Sequence, residues 1–215
     1  MGEDQFELAI ARRFARRDLC SSMHEAGHVM LADALGVGIE RVWITGLYDA
    51  TINPQAGVKL VSGGCALSKA IVIALAGRAV DEALDVDNTK CEVGFDQTRT
   101  DERVLQECLE NAYAPDVPTA EQASHYHREV QILRDLWVAP WAKESEAAIR
   151  RFAQSLKDVR VLCGCDLRRV IDESWGGSKP EPNEVANKVT VLVKALFLST
   201  EPPSDRPCAY IYYSK

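Results

Sequence analysis

The chain of 215 residues is 47% hydrophobic and 27% charged, a composition that predicts one globular domain with a large core, or one domain with an extension. Its formal net charge of -7 argues against a sequence-independent nucleic-acid role, which needs a basic face. The longest apolar stretches, 70–76 and 189–198, are too short or too interrupted by charge to cross a membrane, so no membrane span is expected.

The N-terminal segment, residues 1–18, is charged and periodic, and it predicts an amphipathic helix rather than a signal peptide. Packing of this helix on the core is favoured over a role at a membrane surface. The seven cysteines are odd in number, and none belongs to a CxxC pair. Cys163-Gly164-Cys165 lacks a second pair nearby, so no metal role is expected for it. Free thiols are typical of a reducing cytosol, and a cytoplasmic location is therefore expected.

The most informative segment is His24-Glu25-Ala26-Gly27-His28, an HExxH motif. Apolar residues at helical spacing surround it, with Asp18 or Ser21 as the predicted N-cap and Gly36 as the predicted stop. Two histidines four residues apart lie on one face of a helix and can bind a single zinc ion. Glu25, on a neighbouring face, can serve as a general base for water activated by the metal.

Two strands are predicted after the motif helix. Residues 39–44 are β-branched and aromatic with a period of two, residues 45–57 contain turn residues, and residues 58–61 form a second apolar run. Together they predict a small β-hairpin beside the HExxH helix. One of these strands could hold a peptide substrate by strand addition, or the hairpin could simply cap the core.

The next helix is predicted over 68–84, with Ser68 as its N-cap, and it should be buried because it is apolar on most sides. Residues 85–99 predict a loop, after which Asp101 should open a helix that ends near Tyr113. On this helix Asp101 shares one face with apolar residues, so its carboxylate should point inward from the first turn.

The rest of the chain predicts mostly helix. The predicted features are a break at 115–118, a helical region over 119–157 interrupted at Pro140, a turn-rich linker at 176–183, helix or strand at 189–198, and a strand or tail at 208–213. The expected fold class is mainly α (α+β), a zincin-like helical protease core with the small hairpin beside the motif helix.

A catalytic zinc site normally has three protein ligands, so one must come from outside the motif. His125 and His127 are two residues apart in a helical region, face different ways and are expected at the surface. Asp101 is favoured because a rigid helix holds it inward, although an acid near a helix start also suits the macrodipole without any metal. The other candidates, as ligands or as groups that orient a ligand histidine, are Asp81, Glu82 and Asp96.

Three sequence elements occur in a fixed order: HEAGH at 24–28, AGRAVDEAL at 76–84, and Thr100-Asp101 at the start of an apolar helix. This order resembles the protease domain of FtsH-type ATP-dependent zinc metalloproteases, which show HEAGH, a GRxAEE-like element and an Asp opening a later helix. The resemblance covers residues 20–112. It implies that His24, His28 and Asp101 bind zinc, that Glu25 is the general base, and that Asp81 or Glu82 supports a ligand.

The predicted function is thus a zinc-dependent metalloendopeptidase with one Zn²⁺ per chain and a polypeptide substrate. Its peptidase domain is expected over 1–175, with the motif core at 18–113, and a C-terminal extension over 176–215. The chain has no GxxxxGK[ST] motif, so the ATPase of FtsH is not expected in it, and a homo-oligomer or a separate ATPase partner remain options. The alternatives are a metal-stabilised regulatory module derived from a peptidase, with little turnover, and a zincin of another kind, such as an aminopeptidase.

Overall fold

The computed structural model describes residues 3–44, 56–61, 66–86, 97–112 and 119–196. Within these ranges the chain is mainly helical, with a small antiparallel sheet, as expected for the fold class. The helices are α1 (Glu3–Ala34), α2 (Leu67–Ala83), α3 (Gln97–Ala112), α4 (Ala120–Leu133), α5 (Ala139–Glu144), α6 (Glu146–Val159), α7 (Gly164–Trp175) and α8 (Pro182–Leu196). The strands are β1 (Ile39–Ile44), β2 (Ala56–Leu60) and β3 (Val161–Cys163).

Helix α1 is continuous from the N-terminal segment through the HExxH motif. The predicted N-cap at Asp18 or Ser21 is therefore wrong, because helix-compatible residues precede both positions and the helix does not restart there. Asp18 instead accepts a hydrogen bond from the guanidinium of Arg160 at 2.6 Å. The predicted stop at Gly36 is confirmed: its φ is +68°, and Val37 N–H donates to the carbonyl of Ala32, a six-to-one bond that closes a helix end.

The sheet has the order β2-β1-β3 with both pairs antiparallel. Val42 of β1 lies opposite Val58 of β2 and Leu162 of β3, and all three side chains are buried in the core. The predicted β1–β2 pair is confirmed, although β2 begins two residues earlier than predicted. Strand β3 was not predicted, because three residues are too few to show a strand period. The loop predicted between β1 and β2 lies almost wholly outside the described residues.

Helix α2 lies against α1 and is buried along most of its length. Its N-cap is Ala66, which makes no side-chain cap, so the predicted cap at Ser68 is wrong. The two helices approach closely at Gly27, where a Cβ atom would lie 2.8 Å from Cγ2 of Val80 and 2.9 Å from the carbonyl oxygen of Ala76. A side chain at residue 27 would force the helices apart.

Helix α3 begins at Gln97, four residues before the predicted start at Asp101. The predicted loop is therefore too long at its C-terminal end, and Asp101 lies in the second turn rather than the first. The end of α3 at Ala112 agrees with the prediction.

A π-helical turn over Arg134–Val138 joins α4 to α5, where the sequence predicts an interruption at Pro140. Proline has no N–H to donate and its ring excludes a normal helical turn before it. The N–H of Ala139 reaches back five residues to the carbonyl of Arg134, which widens the helix without ending it.

The predicted linker after α7 is confirmed at its start, since Gly176 and Gly177 have φ of +57° and +84°, but it is two residues too long because α8 begins at Pro182. Residues 189–196 are helical, as part of α8, whose Val185 and Val189 are buried in the same core as α1 and α2. Residues 208–213 lie outside the described part of the chain. None of the helices in the described ranges is both apolar and long enough to cross a bilayer.

Candidate metal centre

The two motif histidines lie on one face of α1 and are almost fully buried, with His24 2% and His28 1% exposed. Their ring centroids are 4.9 Å apart. Both Nε2 atoms face Gly77 on α2: a Cβ atom there would lie 2.5 Å from Nε2 of His28 and closer still to Nε2 of His24. Gly77 therefore leaves open the space that both nitrogens face.

Asp101 on α3 brings its carboxylate to the same nitrogens. Its Oδ2 lies 3.1 Å from Nε2 of His24 and its Oδ1 lies 3.4 Å from Nε2 of His28. One donor atom from each of the three residues lies within 4.8 Å of the other two, so the group could hold a metal ion. Asp101 faces inward as predicted, with 6% of its surface exposed, in line with buried Val104 and Cys108.

The far nitrogen of each imidazole is held by a separate partner. Nδ1 of His24 lies 2.7 Å from Oδ2 of Asp81, and Nδ1 of His28 lies 2.6 Å from the carbonyl oxygen of Ile73. Both partners are acceptors, so each Nδ1 carries the proton and donates it. When a ring loses its second proton, as metal binding requires, the lone pair is then on Nε2, the atom that faces Asp101 and Gly77.

Electrostatics couple these groups tightly. Burial alone lowers the pKa of His24, but the carboxylates of Asp81 and Asp101 outweigh it and hold that pKa well above its usual value. Burial likewise opposes charge on His28, and Asp101 reverses the effect, so the pKa of His28 is also raised. Asp101 is buried too, yet the two histidines hold its pKa well below the usual range.

Glu25 is 5% exposed and lies between the two histidines in sequence. Burial raises the pKa of its carboxyl group to about 7, against the opposing effect of His28 and His24. A carboxyl group with this pKa can accept and release a proton near neutral pH.

The other predicted candidates have different positions. Glu82 is exposed and pairs with Arg78 and Arg134, so it does not reach the histidines. Asp96 lies outside the described residues. His125 and His127 are on α4 and do not belong to the donor group that the described residues form. Asp81 supports His24 and, of the two described acids Asp81 and Glu82, is the one that touches the centre.

Two features of the centre were not predicted. The carbonyl of Ile73 belongs to the main chain, so no residue type signals it. Gly77 could have been noticed as a residue without a side chain inside a helix that is buried along most of its length.

In comparisons with known proteins, no protein-family model matches this chain and no curated protein matches it. The chemistry of the centre is therefore derived from its own residues. Two imidazole nitrogens and one carboxylate oxygen, with a hydrogen-bonded partner behind each imidazole, form a donor set that could hold a metal ion.

Proposed function

We propose that this protein is a zinc-dependent metallopeptidase that hydrolyses internal peptide bonds of polypeptides. The observation that supports it best is the buried group of His24, His28 and Asp101, whose donor atoms lie within 4.8 Å of one another, with Glu25 on the same helix. Three protein donors with a carboxyl base beside them form the arrangement that hydrolytic zinc sites use.

In this proposal His24, His28 and Asp101 hold one zinc ion per chain. Zinc bound there would supply Lewis acidity, which makes water more acidic and polarises a peptide carbonyl. The residues themselves keep the donors in place: Asp81 and the carbonyl of Ile73 fix the two ring orientations.

Glu25 is the proposed proton carrier. Its carboxylate takes a proton from the attacking water and delivers it to the leaving amine nitrogen, which needs a group that changes protonation near neutral pH. In the metal-free protein, burial raises the pKa of Glu25 to about 7.

We also propose that the chain is related to the FtsH-type protease domain. The three sequence elements that suggest the relationship are far apart in the chain, yet they meet at one place. His24 of the first contacts Asp81 of the second and Asp101 of the third. Their meeting supports a shared site.

The test compares wild type with Glu25→Gln on a denatured protein and on N-terminally blocked, internally quenched peptides, with bound zinc measured by elemental analysis. Wild type should cleave internal bonds, whereas Glu25→Gln should keep its zinc and lose activity by roughly 10²–10⁴-fold. If both proteins hold zinc and neither cleaves any substrate, the peptidase proposal is wrong, and a metal-stabilised regulatory module becomes the favoured hypothesis. Cleavage of unblocked peptides alone would indicate an aminopeptidase.

A further inference from the structure

A cavity of about 330 Å³ opens between α2, α3 and α4. Asp101 lines it, so the cavity adjoins the candidate metal centre. Ligand pockets range from roughly 300 to 1,000 Å³, and a cavity at the lower end suits one side chain or chain terminus rather than a cofactor. Its apolar wall is made by Ala74, Leu75, Leu105 and Val130.

Two arginines, Arg78 on α2 and Arg134 at the end of α4, also line this cavity. Oε1 of Glu82 lies 2.8 Å from Nε of Arg78 and 3.4 Å from Nη1 of Arg134. One carboxylate oxygen thus holds both guanidinium groups side by side. Arg134 is also paired through its Nε with Asp135, at 2.8 Å.

Most N–H donors of this pair have no partner within the part of the chain that the structure describes. A guanidinium has five N–H donors, and Arg78 engages a described residue only through Nε. Its terminal nitrogens, and Nη2 of Arg134, have no hydrogen-bond partner among the described residues. Paired guanidinium N–H groups match the geometry of a carboxylate.

Acidic side chains also line the cavity: Asp101 and Glu102, both on α3. In the zinc-loaded protein the metal offsets the charge of Asp101, so Glu102 is the acid that repels an entering carboxylate. Repulsion by Glu102 and attraction by the two arginines favour one orientation of that carboxylate.

We propose that this cavity is a substrate subsite for a carboxylate, with Arg78 and Arg134 as the specificity-determining residues. The inference rests on the proposed peptidase function, for which it names a substrate class. The carboxylate comes either from an aspartate or glutamate side chain or from the C-terminus of a peptide. In both cases its aliphatic portion packs on the apolar wall.

The test measures peptide binding by fluorescence anisotropy to zinc-loaded Glu25→Gln, which leaves the peptides intact. One set of labelled peptides is neutral and amidated, except for a single glutamate moved along the sequence. A second set replaces that glutamate by glutamine, and a third has glutamine with a free C-terminal carboxylate. At least one carboxylate peptide should bind about tenfold or more tightly than its neutral counterpart, and the set in which it occurs identifies the source.

Arg78→Gln, added to Glu25→Gln, should remove this preference, and Arg134→Gln should do the same. Arg78 is the decisive position because its side chain is 45% exposed, so its loss should not disturb folding. The matched control is Arg150→Gln, which removes the same charge from an exposed pair of the same spacing, with Nε 2.7 Å from Glu146. The control should keep the preference.

Equal binding of all three peptide sets, or no binding of any, would overturn the subsite proposal, as would a preference that survives both arginine substitutions. Turnover by wild type is measured separately on the same peptides. If wild type shows no turnover but the carboxylate peptides still bind more tightly in an arginine-dependent way, the peptidase proposal is wrong and the subsite proposal stands. Turnover by wild type without any preference for a carboxylate supports the peptidase and refutes the subsite.

Discussion

Gly77→Ala should abolish zinc binding while the protein stays folded. The added Cβ atom would lie 2.5 Å from Nε2 of His28 and closer still to Nε2 of His24, far inside ordinary contact distance. It would thus fill the space that both donor nitrogens face. Because both rings are fixed at Nδ1, neither can swing away without losing a buried hydrogen bond.

Two opposing terms set the change in stability. Overpacking a buried site costs about 1–3 kcal/mol, whereas replacing glycine by alanine inside a helix gains about 1 kcal/mol. The net loss of unfolding free energy is then between about 0 and 2 kcal/mol, or a fall in Tm of no more than about 8 °C for a chain of this size. A loss of that size leaves a folded protein on which metal binding can be measured.

The assays are elemental analysis after dialysis, titration of zinc against a chelator, and thermal unfolding of the metal-free proteins. Gly27→Ala is the matched control, because it has the same gain in helix propensity but clashes with Val80 and the carbonyl of Ala76. It should lose stability and bind zinc better than Gly77→Ala does. Zinc uptake by Gly77→Ala with wild-type affinity would refute the placement of the metal between these helices.

Three other predictions concern the same fold. Asp101→Asn should weaken zinc binding by more than the roughly 10–100-fold that follows loss of a supporting group, whereas Glu82→Gln should leave it unchanged in the same chelator titration. Raised histidine pKa values stabilise the metal-free protein at low pH, and this contribution is lost as pH rises through them. Protons compete with zinc, so the zinc-induced rise in Tm should grow from about pH 6 to about pH 8, and a constant rise would contradict the assignment. Asp33→Ala should cost about 2–3 kcal/mol in chemical denaturation, because the buried carboxylate that accepts from Trp175 Nε1 at 2.7 Å is lost. Arg168 pairs both with Asp33 and with the exposed carboxylate of Asp172. Asp172→Ala should therefore cost less than about 1 kcal/mol, and equal losses for the two variants would show that burial does not matter there.

The part of the centre that lies on one helix face could be predicted from sequence. His24 and His28 share a face because of their spacing alone. Asp101 could be assigned to an inner face because apolar residues such as Leu105 and Cys108 share its helix period. The inward direction of Asp101 was predicted correctly although the start of α3 was predicted four residues too late. The face on which a residue lies depends on its spacing from its neighbours and not on where the helix begins.

The contacts between elements could not be predicted in the same way. That Asp81 reaches His24 while neighbouring Glu82 points to solvent depends on how α2 is rotated against α1, and both are plausible acids in sequence. Packing at Gly27 sets that approach. Helix starts were misplaced at α1 and α2 because a capping residue type is common and only its hydrogen bond identifies a true cap.

The two supports behind the histidines differ in how mutation can reach them. The support of His24 is the side chain of Asp81, which a single substitution can delete. The support of His28 is the main-chain carbonyl of Ile73, which every amino acid supplies. Residue 73 can therefore be any apolar residue that fills the core, whereas residue 81 must keep a side chain that accepts a hydrogen bond. In related sequences we therefore expect residue 73 to vary and residue 81 to be conserved, because one support is main chain and the other is a side chain.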